Sequence, residues 1–248
     1  MQAHNRIIHG LWIGNSLSRL ERLTILSFLE HGHSFHLWCY EDVDNVPDGA
    51  ILRDANLILS ADHIFQYKFT DPNFDVGKGS YAGFSDIFRY KLLYQEGGWW
   101  SDMDVTCLRP LDFPEPYVFR NHNEMLSVVG NIMKCPAGSR LMLDCFEQAI
   151  REVNKYNDDW AKPVRILCDA IEKLGLVEYI VKDLAPPDGW NTIQSLLLSN
   201  GPIPANAYAI HWCNELWRCR GLDKLSVPQG STYAGLLSRF GICENQLV

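Results

Sequence analysis

The first forty residues hold the pattern that most narrows what this chain can fold into. Residues 6–13 (RIIHGLWI) are mostly apolar and β-friendly, and Gly14-Asn15-Ser16 breaks them. Residues 17–30 then place Leu20, Leu23, Leu26, Ser27 and Leu29 on one helical stripe that ends near Gly32. Residues 34–40 (SFHLWCY) read as a second strand. Strand, helix and strand at that spacing predict a βαβ unit, because parallel neighbours need a crossover of helical length between them.

The rest of the chain extends the same theme. Residues 41–79 are mixed, with turn signals at Pro47-Asp48-Gly49 and Asp71-Pro72-Asn73. The strongest helix is 81–96, where Phe84, Ile87, Phe88, Lys91, Leu92 and Gln95 step by three and four until Gly97-Gly98 stops it. Residues 99–105 are predicted as a strand running into a turn closed by Arg109-Pro110, and 117–120 and 125–134 as two more strands. Amphipathic helices are expected over 139–153 and 163–174, with Pro163 in a first-turn position. Residues 205–212 return as a short strand, and the last thirty residues are expected to be irregular. The Gly and Pro residues are dispersed, with no repeat or low-complexity tract, so the pattern predicts one α/β domain over residues 1–248.

Composition removes several function classes. With 22 Lys+Arg against 30 Asp+Glu the net charge is −8, which argues against a nucleic-acid partner, since duplex binding needs a positive surface to displace counterions. Hydrophobic residues at 47% and charged residues at 21% indicate a real core. No apolar run nears the roughly 20 residues that span a bilayer, and the start up to His9-Gly10 is too interrupted for a secretion signal. The expected location is therefore cytoplasmic. None of the eight cysteines forms a CxxC pair and most lie in apolar segments, which favours reduced, buried thiols over disulfides or zinc.

The densest chemistry is Ser85-Asp86-Ile87-Phe88-Arg89-Tyr90 followed by Gly97-Gly98-Trp99-Trp100-Ser101-Asp102-Met103-Asp104. Asp102 and Asp104 are one residue apart, so on extended backbone both carboxylates point the same way. They repel unless one is protonated or a cation lies between them, and hard divalent ions such as Mg²⁺ and Mn²⁺ bridge carboxylates to phosphates. An acidic turn facing solvent would carry the same two residues. Asp86 and Arg89 share a helix face three residues apart, either as a surface ion pair or as two walls of one cleft.

The run Ser85-Asp86-x-x-Arg89-Tyr90-x-x-Leu93-Tyr94-x-x-Gly97-Gly98-x-Trp100-x-Asp102-x-Asp104 resembles the signature of the DXD-containing sugar-binding glycosyltransferases. That family includes yeast-type mannosyltransferases, bacterial capsule and lipopolysaccharide transferases, and the glucosylating domains of clostridial toxins. Ile8-His9-Gly10-Leu11-Trp12-Ile13-Gly14 resembles its first strand and donor-binding turn, and Ala209-Ile210-His211-Trp212-x-Asn214-Glu215-x-Trp217 its terminal segment. The resemblance implies a GT-A-type nucleotide-sugar-binding domain with a central mixed, mostly parallel sheet flanked by helices. Its nucleotide-binding part would be 1–111, ending in the DXD turn, and its acceptor side and C-terminal metal and lid segment 112–248.

The resemblance further implies roles at matching positions. Asp104 would bind the metal directly, and Asp102 would bind the metal together with the donor's ribose or sugar. Trp12, with Gly14 in its turn, would stack on the nucleobase. Asp86 and Arg89 would hold the transferred sugar, and with Asp102 and Asp104 they form the catalytic set. His211 would complete the metal shell, with Asn214 or Glu215 as a rival ligand, and Trp217 would cap the leaving diphosphate from a mobile segment. Asn131 is a candidate on the acceptor or sugar side, and Lys78 in a Gly-Lys-Gly loop could approach the diphosphate. Trp100, beside the donor, stands where the family usually has tyrosine, and Ser101 where it is usually apolar, which leaves the sugar open.

The implied activity is a metal-dependent transfer, with Mn²⁺ or Mg²⁺, from a nucleoside-diphosphate sugar, a UDP-hexose being favoured, to a hydroxyl of a glycan or lipid-linked saccharide. Family precedent is retention of configuration. A bacterial cytoplasmic enzyme of capsule or lipopolysaccharide synthesis fits this, with peripheral docking at the inner membrane face left open. The competing readings are a toxin-like transferase with a protein acceptor and a non-catalytic nucleotide-sugar-binding protein on the same scaffold.

Overall fold

In the computed structural model, which describes residues 1–122, 126–186, 189–224, 226 and 228–242, the opening βαβ unit forms as β1 (Ile7–Trp12), α1 (Arg19–Glu30) and β2 (Ser34–Cys39). Ile7 pairs in parallel with Ser34 and Trp12 with Cys39. Ser18 and Glu21 start α1 by a reciprocal capping box, each side chain accepting from the other's end of the first turn. A short strand inside the region expected to be mixed, β3 (Ile51–Asp54), adds to β2 in parallel. The long helix α2 (Ala82–Glu96) ends at Gly97, whose φ is +66°, and Gly98 follows at +83°. A Cβ on Gly97 would come within 2.5 Å of the Ala137 nitrogen, so this turn requires glycine.

β4 (Gly98–Ser101) then pairs in parallel with β1. The predicted strand over 99–105 is two elements, because the chain turns at 102–104 and β5 (Val105–Cys107) leaves the main sheet. β6 (Val118–Asn121) and β7 (Val128–Cys135) are antiparallel to one another, and β7 is antiparallel to β4. Met125, at the head of the strand expected there, lies outside the described residues, as does Cys243. Helices α3 (Arg140–Glu152) and α4 (Lys162–Lys173) follow, then β8 (Ile180–Val181), α5 (Trp190–Leu198), β9 (Ala209–His211), α6 (Asn214–Cys219) and α7 (Thr232–Arg239). The main sheet runs β3-β2-β1-β4-β7-β6-β8, four of its six pairings parallel, and β5 pairs with β9 in a separate two-stranded sheet.

Apolar surface covers both faces of the sheet. Strand alternation sends Trp99 to the face covered by α1, with Phe28, Phe35 and Leu37, and sends Trp100 to the face covered by α2, α3 and α4, with Phe88, Met142 and Leu167. A third cluster corrects the expectation of an irregular C-terminal segment: α7 lays Tyr233, Leu236 and Leu237 on Trp212, Trp217 and the Leu20 and Leu23 side of α1. Among the described cysteines Cys107, Cys135, Cys145 and Cys168 are buried thiols, and Cys219 is exposed. No helix among the described residues is long and apolar enough to cross a membrane.

Candidate active site

The turn between β4 and β5 opens on a cleft of about 770 Å³ at the ends of the central strands, a volume suited to a ligand of nucleotide-sugar size. Asp102 is fixed at its backbone, where its N–H donates to the Asn131 carbonyl at 2.8 Å, and at Oδ1, which accepts from Trp100 Nε1 at 2.7 Å. The buried Arg89 guanidinium lies 3.3 Å from the same oxygen, donates to the Gly130 carbonyl at 2.6 Å, and pairs with Asp86. Arg89 thus reaches from α2 to β7 and holds both acids. Trp100 is almost fully buried and floors the cleft, and the Ser101 hydroxyl donates to the Asp102 carbonyl.

Pairing of β5 with β9 sets Val105 opposite His211, which carries the imidazole back beside Asp104. His211 Nε2 is 3.4 Å from Asp104 Oδ2, and the Asn214 N–H donates to that oxygen at 2.8 Å. Asp102, Asp104 and His211 each offer one ligand atom within 4.8 Å of the others. Two carboxylates and one imidazole are a donor set that fits a divalent cation of Mn²⁺ or Mg²⁺ type. Burial, reinforced by Asp104, pushes the Asp102 carboxyl up against the pull of Arg89. Burial works in the same direction on Asp104, but the His211 imidazole, the Asn214 N–H and the Lys224 ammonium outweigh it and hold that carboxyl low.

The other expected residues divide between the cleft and the core. Trp12 lines the cleft at the end of β1, its N–H donating to the Ser16 carbonyl, and Gly14 makes the turn beneath it with φ +140°. Asp86, Arg89 and Asn131 also line the cleft, and the Asn131 side-chain oxygen accepts from Arg120. Trp217 does not cap the cleft from a mobile segment. It is buried in the C-terminal core, where its N–H donates to the Trp212 carbonyl at 2.6 Å and its ring meets Tyr233 edge-on. Glu215 is turned to the loop across the cleft mouth, accepting from the Gly77 N–H at 3.0 Å and pairing with Arg218, which also donates to the Lys78 carbonyl. Lys78 meets this contact through its backbone.

Three residues beside the site were not singled out from the sequence. Gly130 makes room for Arg89, Glu21 lines the cleft from α1, and Lys224 pairs with Glu21. The Ser18-x-x-Glu21 spacing was a readable signal for the second of these. Residues 32–125 match a family described as glycosyltransferase sugar-binding region containing DXD motif. Over that stretch the chain resembles the DXD-containing glycosyltransferases. The stretch that matches the DXD glycosyltransferases contains Asp86, Arg89, Asp102 and Asp104, while Trp12 and His211 lie outside it.

Among solved structures the chain is similar to one described as PaToxG glycosyltransferase, at 13% identity and a TM-score of 0.48, over 68% of each chain. It is also similar to a transferase solved as a double cysteine-to-serine mutant, at 11% identity and a TM-score of 0.45, over 76% of this chain and 89% of that one. No curated protein matches the sequence.

Proposed function

We propose that the chain is a metal-dependent GT-A-type glycosyltransferase that moves a sugar from a nucleoside-diphosphate donor, a UDP-hexose being favoured, to a hydroxyl of a glycan or lipid-linked saccharide. The observation that carries this reading is the meeting of Asp102, Asp104 and His211 in a cleft with Trp12 at one end and Asp86 and Arg89 on its wall. Mn²⁺, or Mg²⁺, held by those three residues would neutralise the departing diphosphate. Residues 1–111 would supply the nucleotide side and 112–248 the acceptor side.

In this reading Trp12 stacks on the base and Asp86 accepts from sugar hydroxyls. Arg89 acts by position, since its donors already hold Asp86, Asp102 and the Gly130 carbonyl. Retention of configuration follows family precedent: the acceptor hydroxyl attacks from the face the nucleotide leaves, and a diphosphate oxygen takes its proton. The formal charge of −8 makes a cation more necessary at an anionic donor. Work on capsule or lipopolysaccharide precursors in the cytoplasm fits such an enzyme. The testing experiment is a calorimetric titration of UDP, GDP and several UDP-sugars with Mn²⁺ and with EDTA. The expected result is tight binding of one nucleotide with Mn²⁺ and its loss with EDTA. A folded protein that binds none of them would overturn the nucleotide-sugar assignment.

A further inference from the structure

Away from the acids the cleft changes character, and the sheet order gives the direction. β1, β4 and β7 are consecutive neighbours, so their cleft ends lie in a row: Trp12 to one side, Asp102 in the middle, Val129 on the other. Each step across the row is about 4.8 Å. Over β7, on the face that α2 and α3 also cover, lies α4, fastened where Cys168 Sγ donates to the Val128 carbonyl at 3.7 Å. Val164 lies one turn earlier on the same face of α4. The wall at this end is Leu126, Val129, Trp160, Ala161 and Val164, with Phe74 from the facing loop and His122 beside Leu126.

Apart from His122 this wall is apolar, in contrast to the acids, Arg89 and His211 nearer β4. The wall is held in place, since the Trp160 N–H donates to Asp71 at 2.7 Å and its ring lies 5.9 Å from that of Tyr67. It also leads outward. Phe74 is 43% exposed although it lines the cleft, so the apolar wall reaches the surface. A bare sugar placed there would lose water from its hydroxyls and, with His122 as the polar side chain at this end, regain few hydrogen bonds, whereas an apolar group gains by leaving water.

We infer that the acceptor carries an apolar aglycone, an alkyl or aryl group, which runs along this wall while the accepting hydroxyl faces the acid cluster. This rests on the transferase reading above and selects lipid-linked or aryl-linked saccharides over free polysaccharide ends. The test titrates n-octyl β-D-glucopyranoside, below its critical micelle concentration, and methyl β-D-glucopyranoside into the full chain with Mn²⁺ and UDP, with the corresponding galactosides alongside. Octyl glycosides are expected to bind at least about tenfold tighter, which burial of two methylenes alone would supply. Val164→Asp should bring the pair within about twofold. The nearly isosteric Val164→Thr, which keeps the fold if the aspartate does not, should narrow the gap severalfold.

Equal affinities for octyl and methyl glycosides, or none for either, in a protein that binds UDP overturn the inference and leave the transferase reading intact. An octyl preference that both Val164 variants retain also overturns it, since the alkyl chain then lies elsewhere. An octyl preference in a protein that binds no UDP overturns both readings.

Discussion

The Arg89 guanidinium is wedged among Asp86, Asp102 and the Gly130 carbonyl, and a Cβ on Gly130 would come within 2.6 Å of its Cζ. A long side chain can often swing away from such a contact, but here any movement breaks buried, charge-assisted bonds. Gly130→Ala is therefore expected to cost about 1–3 kcal/mol of stability, the usual scale of overpacking, and to weaken UDP binding at least about tenfold. Thermal melting and a nucleotide titration check the two halves, and wild-type affinity for UDP would mean that Arg89 does not position Asp102. Asp104→Asn separates charge from shape at the next carboxylate. An amide oxygen can still accept the Asn214 N–H that Asp104 Oδ2 accepts, so the fold is expected to survive. The lost charge should lower Mn²⁺-dependent turnover by about 10²–10³-fold, and unchanged turnover would sink the metal assignment.

At the level of elements, α7 closes the C-terminal core through Tyr233, whose ring meets Trp212 at 4.9 Å and Trp217 at 5.4 Å between centroids. Its hydroxyl is buried with no hydrogen-bond partner among the described residues. The ring should therefore matter and the oxygen should not: Tyr233→Ala is expected to cost about 3–5 kcal/mol and Tyr233→Phe to be neutral or slightly stabilising. Urea unfolding of the two variants decides this, and a Phe variant as weak as the Ala variant would show that the hydroxyl has a partner. The same helix marks where local pattern stops being informative. β1, α1, β2 and α2 were legible because each carries a periodic apolar face of its own. The stripe of α7 is only eight residues long and contains Gly235, so its local signals, a Ser231 cap and the Tyr233, Leu236 and Leu237 spacing, are weak beside those of α2. β5 and β9 are three residues each, and their pairing joins Val105 to His211 across the chain. The spacing pointed to Asp102 and Asp104, but it is the turn between β4 and β5, not extended backbone, that gathers them, and the burial of Trp217 depends on α7.

Across the whole molecule, acid acts on two buried histidines that tie distant segments together. His9 Nδ1 accepts the Trp38 indole N–H at 3.0 Å, joining β1 to β2. His33 Nδ1 is bonded to the Asn5 carbonyl at 2.9 Å while its Nε2 accepts the Leu111 N–H at 3.0 Å. Neither ring can take a second proton without losing an accepted bond. Burial, together with neighbouring His36, lowers the His9 pKa to about 3, and burial lowers that of His33 to about 4 despite its contact with Asn5. The unfolded chain protonates both near 6.5, so between that pH and about 4 it binds protons that the native state refuses. Stability is thus complete above about pH 6.5 and falls as pH falls. Each histidine contributes up to about 1.4 kcal/mol per pH unit once the unfolded ring is fully charged. Relief of the excess negative charge would work in the opposite direction, but ordinary carboxylates titrate only near pH 4, below most of this window. Urea midpoints measured from pH 7.5 to 4.5 should therefore drop steeply below pH 6. His33→Gln, which keeps one donor and one acceptor, should remove a substantial part of that slope whatever it does to the stability at pH 7.5. His9 and His36, whose pKa burial also lowers, share the slope with it, and an unaltered slope would place the acid sensitivity in groups other than His33.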